Sequence, residues 1–180
     1  SADHLYLSRK GVTGYGVKQY CGAVVVPLRD SQGILHGVQF VSADGTKKFL
    51  KGTAKRGAYH SIGKLIDRLY ICEGYATGAS VHEATGHAVA VAFDAVNLKP
   101  VAESLHRKYP ELKLVICADN DLWTEGNPGM TNAAEAARCV KASVIHPHFI
   151  DLTDRPTDFN DLHKLCGIKE VTRQIIGGAN

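Results

Sequence analysis

Long apolar runs are missing from this 180-residue chain. No stretch approaches the roughly 20 residues that a helix needs to cross a bilayer, so no membrane partner is expected. No secretory leader is expected either, because Ser1-Ala-Asp-His opens polar with no apolar segment behind it. The five cysteines, at 21, 72, 117, 139 and 166, form no Cys-x-x-Cys spacing. An odd, scattered set argues against a disulfide framework or zinc ribbon and predicts a reducing cytoplasm. Cys72 and Cys117 fall inside apolar strands, where a thiol serves as a small core residue. There is one methionine, Met130, and it is not the first residue. The chain therefore reads as a piece of a longer protein, with Gly177-Gly178 leading into a linker. No Gly-x-x-x-x-Gly-Lys-Ser/Thr run offers a helicase-type nucleotide loop. Strong net charge is absent as well, at +3 overall.

The distribution of that charge is more informative than its sum. Residues 1–66 hold ten Lys/Arg against three Asp/Glu, giving +7, and residues 67–180 hold eleven against fifteen, giving −4. Basic surface attracts polyphosphate, whereas clustered acids require a cation or repel one another. The hydropathy pattern changes at the same place. Up to residue 66 it predicts a small antiparallel meander, with strands around 22–28, 34–41 and 46–50, the last two joined by the turn Asp44-Gly45. From residue 67 strands and helices alternate, which predicts a parallel sheet. Strands are expected at 68–72, 88–93, 113–117 and 142–145, and helices at 76–85, 98–109, 131–140, from 160, and at 169–176. Gly86 suits a helix end, Pro110 blocks continuation, and Thr131 or Asn132 suits an N-cap. Two domains follow, a basic β-rich part over 1–66 and an α/β part over 67–180.

Chemistry concentrates where two of those strands end. Leu69-Tyr-Ile-Cys-Glu-Gly-Tyr-Ala-Thr-Gly78 runs from an apolar strand into Glu73, and Leu114-Val-Ile-Cys-Ala-Asp-Asn-Asp121 delivers Asp119 and Asp121 in the same way. Strand ends of open α/β sheets are where ligands bind. Three acids at one sheet edge suit a divalent metal, since magnesium takes oxygen ligands and retains waters. The pair two residues apart projects to one side of an extended chain.

The Glu-Gly after one strand, with Asp-x-Asp after a later one, resembles the Toprim domain of bacterial primases, type IA and II topoisomerases and some nucleases. Glu73-Gly-Tyr-Ala-Thr-Gly78 resembles the Glu-Gly-Tyr-Ala-Thr-Ala signature of primases from conjugative plasmids and satellite phages, with Gly78 in place of the final alanine. The resemblance covers roughly 67–167. It implies an α/β, Toprim-like Rossmannoid fold with a central, mainly parallel sheet flanked by helices, preceded by a small antiparallel β subdomain. It further implies a DNA primase core that makes short RNA primers on single-stranded DNA from ribonucleoside triphosphates, using Mg2+ or Mn2+. Glu73 matches the family's metal-ligating or proton-handling glutamate, Asp119 and Asp121 match its metal pair, and Asp158-Phe-Asn-Asp161 resembles a further acidic motif whose Asp158 and Asp161 would complete the metal site. A replicative helicase, or a helicase domain in the longer protein, is the macromolecular partner implied. The alternatives are a Toprim nuclease using the same acids and a non-catalytic nucleic-acid-binding module. A topoisomerase is disfavoured, because Tyr75 belongs to the signature and no other tyrosine sits in a nucleophile domain.

Other features admit plainer readings. Asp158 and Asp161 also suit a helix N-cap. Lys47, Lys48, Lys51, Lys55 and Arg56 place five cations within ten residues, equally a solvated hairpin or a template and nucleotide track. Arg29, after a buried strand, is a further phosphate candidate. Gly126 and Gly129 precede a helix start that suits either phosphate or a plain connection. His82-Glu83 with His87 imitates a zinc-protease motif, but five-residue spacing separates the rings by about 140° and Gly86 intervenes. His146-Pro-His148 lacks a third ligand.

Overall fold

Helix α1 (Leu5–Lys10) leads into four antiparallel strands, β1 (Lys18–Tyr20), β2 (Ala23–Arg29), β3 (Leu35–Ser42) and β4 (Lys47–Phe49), which pair in chain order. This is a computed structural model, and it describes residues 4–178. Alternation drives β2, where Val24, Val26 and Leu28 are fully buried and the residues between them are less so. The expected turn between β3 and β4 forms, with the Asp44 carboxylate accepting the Thr46 amide at 2.9 Å.

A second sheet contains β5 (His60–Ile62), β6 (Arg68–Cys72), β7 (Ala88–Val91), β8 (Lys113–Cys117) and β9 (Ser143–Ile145), in the order β5-β7-β6-β8-β9. All neighbours are parallel except β5 with β7. The helices between and after these strands are α2 (Tyr75–Thr85), α3 (Leu98–Lys108), α4 (Pro128–Val140), α5 (Phe159–Cys166) and α6 (Ile168–Gly178). The expected α/β architecture, a mainly parallel sheet flanked by helices and preceded by an antiparallel one, is the one observed. No helix among the described residues is long and apolar enough to cross a membrane.

The period-two alternation of the parallel strands builds two cores. Tyr70, Cys72, Val89, Val91, Val115 and Cys117 share one with Ala79, Leu162, Val171 and Ile175 from α2, α5 and α6. Leu69, Ile71, Ala90, Leu114 and Ile116 share the other with Val101, Leu105, Ala133 and Val140 from α3 and α4. Each such aliphatic side chain stabilises the fold by about 1.5–3 kcal/mol on burial.

The first core does not stop at residue 66. Tyr6, Leu7, Val24, Val26 and Val41 join it, and β5 forms the antiparallel edge of the second sheet. The Arg29 and Tyr59 backbones exchange two hydrogen bonds, at 2.9 and 2.8 Å. Both sheets are thus bound into one packed body across the change in charge and pattern.

Register brings the strand ends level. Cys72 lies opposite both Val91 and Cys117, and Cys117 lies opposite Ile145. Whatever follows these residues emerges at one edge of the sheet.

Candidate active site

Glu73 is the residue immediately beyond β6, and Asp119 lies two beyond β8 on the neighbouring strand. Adjacent strands are about 4.8 Å apart, so level strand ends force these carboxylates together. The segment between Glu73 and α2 is one residue long, and four members of the hexapeptide have a mechanical reason to be there. Gly74 occupies the N-cap in an extended conformation. The buried Tyr75 hydroxyl accepts the Tyr15 amide at 2.6 Å and donates to the Tyr15 carbonyl at 3.2 Å, clamping the front part onto α2. Thr77 donates its hydroxyl to Asp158 at 2.9 Å. At Gly78, a Cβ would meet Val91 Cγ2 at 2.7 Å and Cys72 Sγ at 3.1 Å. Glycine here lets α2 lie close against the sheet.

Asp119 and Asp121 sit on a longer connection, residues 118–127. Three hydrogen bonds shape it. The Asn120 amide donates to the Thr157 carbonyl at 2.8 Å. Asn127 Nδ2 donates to Asn120 Oδ1 at 2.8 Å, and the Gly129 amide donates to Asp121 Oδ2 at 3.2 Å. A Cβ on Gly129 would lie 2.3 Å from the Asp119 carbonyl oxygen, so α4 packs directly on the acidic loop. This differs from the expected α4 start at Thr131 or Asn132. The helix begins three residues earlier, at Pro128, behind Asn127 in the left-handed conformation (φ 42°) with no side-chain cap. Proline at the first helical position needs no amide partner and is preset for the helix.

The acids interact strongly. Burial, followed by repulsion from Asp121 and Asp158, pushes the Glu73 carboxyl up to about 7, with Lys47 pulling the other way. Burial pushes Asp119 well above the usual carboxylate range, reinforced by Asp158, Glu73 and Asp121 and opposed by Lys47. Asp158 is raised by burial and then by Asp161. Two oxygens, Glu73 Oε1 and Asp119 Oδ1, are buried without a hydrogen-bond partner. An unpaired buried carboxylate oxygen is costly, and a hard cation is the partner that oxygen atoms with this shortage of donors fit. Among the described residues no three His, Cys, Asp or Glu side chains converge into a cage by themselves. A cation here would keep water or phosphate oxygens in its shell, the habit of magnesium.

The other expected site residues stand in different relations to this group, and Asp158 presses on both Glu73 and Asp119 while its own oxygens have partners. Asp158 uses Oδ1 to accept the Asp161 amide at 2.8 Å, capping α5, and Oδ2 to accept Thr77. Asp161 accepts the Thr157 amide at 3.0 Å and lies in the first turn of α5, where its own amide is capped by Asp158. Of the cations, Lys47 alone perturbs the acid pair. Alternation along β4 puts Phe49 on the same side as Lys47, and Phe49 packs edge-on against Phe93, just past β7, at 5.8 Å. Lys48 therefore points the other way. Lys51 and Arg56 are exposed. Lys55 pairs with Asp94 and lies over the Phe49 ring, which anchors the hairpin instead of leaving a free cation. The Arg29 guanidinium folds back onto the Gly33 carbonyl at 2.9 Å. His82 bonds the His87 carbonyl at 2.7 Å and His87 approaches Asp67 at 3.4 Å, both structural roles. Tyr75 and Thr77 are supporting residues whose tasks depend on contacts distant in sequence, and only their motif positions hinted at them; Gly129 supports the loop from within its own segment.

Comparison with known proteins agrees with this geometry. Residues 68–169 match the Toprim domain family, Toprim_3. DNA primase TraC of Escherichia coli is 41% identical over a region covering 80% of this chain and 15% of that protein. This chain thus spans about one seventh of the relative's length. The primase fragment of the bacteriophage T7 primase-helicase protein superposes with a TM-score of 0.62 at 15% identity, covering 95% of this chain and 69% of the other. The DnaG primase catalytic domain bound to ssDNA gives 0.63 at 12% identity, covering 99% and 72%. At such identities the two structures establish the likeness of fold, and the family match together with the TraC alignment establishes kinship. The chain belongs to the Toprim domain family and within it is a relative of DNA primase TraC.

Proposed function

We propose that this chain is the catalytic core of a DNA primase, a metal-dependent nucleotidyltransferase that builds short RNA primers on single-stranded DNA. The observation that carries the reading is the pair of buried, unpartnered carboxylate oxygens on Glu73 and Asp119, in a chain 41% identical to a DNA primase. The reaction joins the 3′-hydroxyl of a growing primer to the α-phosphate of a ribonucleoside triphosphate, with pyrophosphate leaving.

Glu73, Asp119 and Asp121 are the residues that hold Mg2+ or Mn2+. Such an ion supplies charge neutralisation at phosphate oxygens and a lowered hydroxyl pKa. Glu73, with a carboxyl pushed up to about 7, is suited to hold or release a proton near neutral pH. Asp158 orients α5 and Thr77 behind the acids, with Asp161 fixing the turn before it. Lys47 is placed to meet the triphosphate. Lys48, Lys51 and Arg56 form an exposed basic margin suited to template phosphates, with Arg29 and Lys55 available to join once their present partners are displaced. A helicase or helicase domain is the expected coupled partner, acting in a reducing cytoplasm.

The test uses single-stranded DNA, labelled ribonucleotides and either metal, with wild type and Asp121→Asn run side by side. Short labelled RNA is expected from wild type, reduced by about 100-fold or more in the variant, as for removal of one preorganised electrostatic group. Template cutting without RNA, lost in Asp121→Asn, would overturn the primase in favour of a nuclease. Neither product, with DNA affinity unchanged by the substitution, would favour a binding module.

A further inference from the structure

Beside the acids stands a feature that metal chemistry does not use. Trp123, the sole tryptophan, is 45% exposed on the acidic loop, and the Arg155 guanidinium lies over its ring at 5.6 Å. Apolar surface of that size usually finds cover. Here a turn holds it outward, with the Thr124 amide donating to the Asp121 carbonyl at 2.9 Å, while neighbouring Leu122 is 55% exposed.

Arg155 comes from the opposite wall. It closes a turn onto the Leu152 carbonyl at 3.0 Å and adopts φ 49°, a left-handed conformation that a non-glycine residue takes only against a steric cost. The two loops are tied at their base by the bond from Asn120 to Thr157. Each loop has the same layout. One carries Asp121 at its base and Trp123 two residues on; the other carries Asp158 at its base and Arg155 three residues before. The planar pair thus bridges the two loops that carry Asp121 and lead to Asp158.

We infer that Trp123 and Arg155 form a stacking platform for a nucleobase beside the metal-binding acids. Indole and guanidinium planes both stack on bases, without regard to base identity. Trp123 is two residues from Asp121, at most about 7 Å of chain, so a nucleotide whose base stacks there is long enough for its phosphate to reach the acids. The ligand is a nucleobase in either of two settings, a free ribonucleoside triphosphate or a template strand. The inference deepens the primase reading but does not depend on turnover.

Because Trp123 is the sole tryptophan, its fluorescence reports the contact directly. The full chain is titrated with magnesium-ATP and, separately, with a short oligothymidylate, with binding measured independently by calorimetry. Saturable quenching is expected with at least one of them; quenching by ATP identifies the incoming nucleotide, and quenching by the oligonucleotide identifies the template. Trp123→Ala should weaken that ligand's binding roughly 5- to 150-fold, the range for loss of one stacked base, while Trp123→Phe should restore affinity to within about twofold of wild type. Binding without quenching, together with unchanged affinity in Trp123→Ala, would overturn the platform and leave a surface ion–ring pair only. Failure of both ligands to bind would overturn it as well. Quenching by a chain that makes no primer would keep the platform and remove the primase reading. Primer synthesis with a silent tryptophan would do the reverse.

Discussion

The two junctions that deliver the acids are built in opposite ways. Between β6 and α2 the chain turns from strand to helix across Glu73 and Gly74, and every following residue to Gly78 is buried. Between β8 and α4 ten residues intervene, five of which, Leu122, Trp123, Thr124, Glu125 and Gly126, are exposed in succession. The first junction is held by packing, the second by a handful of hydrogen bonds and one close backbone contact at Gly129. Packed side chains permit little displacement, whereas hydrogen-bonded loops open at lower cost. The difference assigns Glu73 to a fixed wall and Asp119 with Asp121 to an adjustable one, a division that suits the proposed admission of a triphosphate and release of pyrophosphate.

Gly129→Ala tests the adjustable wall most severely. The added methyl would lie 2.3 Å from the Asp119 carbonyl oxygen, a backbone atom that cannot rotate aside, so α4 and the loop must separate. A displacement near 1 Å at a reacting centre costs about 100-fold in rate. We expect that loss in kcat/KM for primer extension, with a more modest fall in thermal stability. Unchanged kinetics would mean that the loop accommodates the shift and that its contact with α4 is not what positions the acids.

Gly78→Ala probes the fixed wall and should show the converse pattern. Helix propensity alone favours alanine by about 1 kcal/mol. The Cβ, however, would meet Val91 at 2.7 Å and Cys72 at 3.1 Å, and overpacking typically costs about 1–3 kcal/mol. The expected result is a net loss of stability, near 2–4 °C per kcal/mol for a chain of this size, with activity largely retained. A rise in the unfolding midpoint would show that α2 can lift from the sheet freely and that this junction is not rigid.

These contrasts explain what was legible in the sequence. The boundaries of β6 and β8 agree with expectation, because each is an apolar run closed by an acid, a local signal. The placement of Glu73, Asp119 and Asp121 just beyond those strands is legible for the same reason. The three-residue β5 carried no apolar run and was missed, and the start of α4 was misplaced because Pro128 outweighed a side-chain cap. The bond between Thr77 and Asp158 joins residues 81 positions apart, and no spacing rule reaches that far. Lys47 stands out from its basic neighbours only once β4 has docked through Phe49 and Phe93, while Lys55, identical to it in composition, is neutralised by Asp94. Charge was readable; which charges face the site was a matter of tertiary packing.

The smallest expected effect concerns the charge that the fixed wall carries. Glu73 has an ordinary carboxyl value of 4.5 that rises to about 7 in the fold. A carboxyl raised on folding binds its proton more tightly in the native state, so the native state is favoured below the unfolded value and loses that advantage as pH rises through the folded one. In chelator, the unfolding midpoint of wild type should therefore fall, relative to that of Glu73→Gln, between about pH 5 and pH 7.5, by several degrees at most. Asp119 and Asp158 shift in the same direction, and because Glu73 itself raises Asp119, the difference between the two curves reports Glu73 together with its repulsion of Asp119. Magnesium should reverse the trend. Its stabilising effect should be small near pH 5, where protons occupy the carboxyls, and grow toward pH 8 as they leave. A difference curve that stays flat in chelator would mean that Glu73 is solvated and does not share its charge with Asp119 and Asp121. The fixed wall would then lie apart from the adjustable one, and the two junctions would not form a single site.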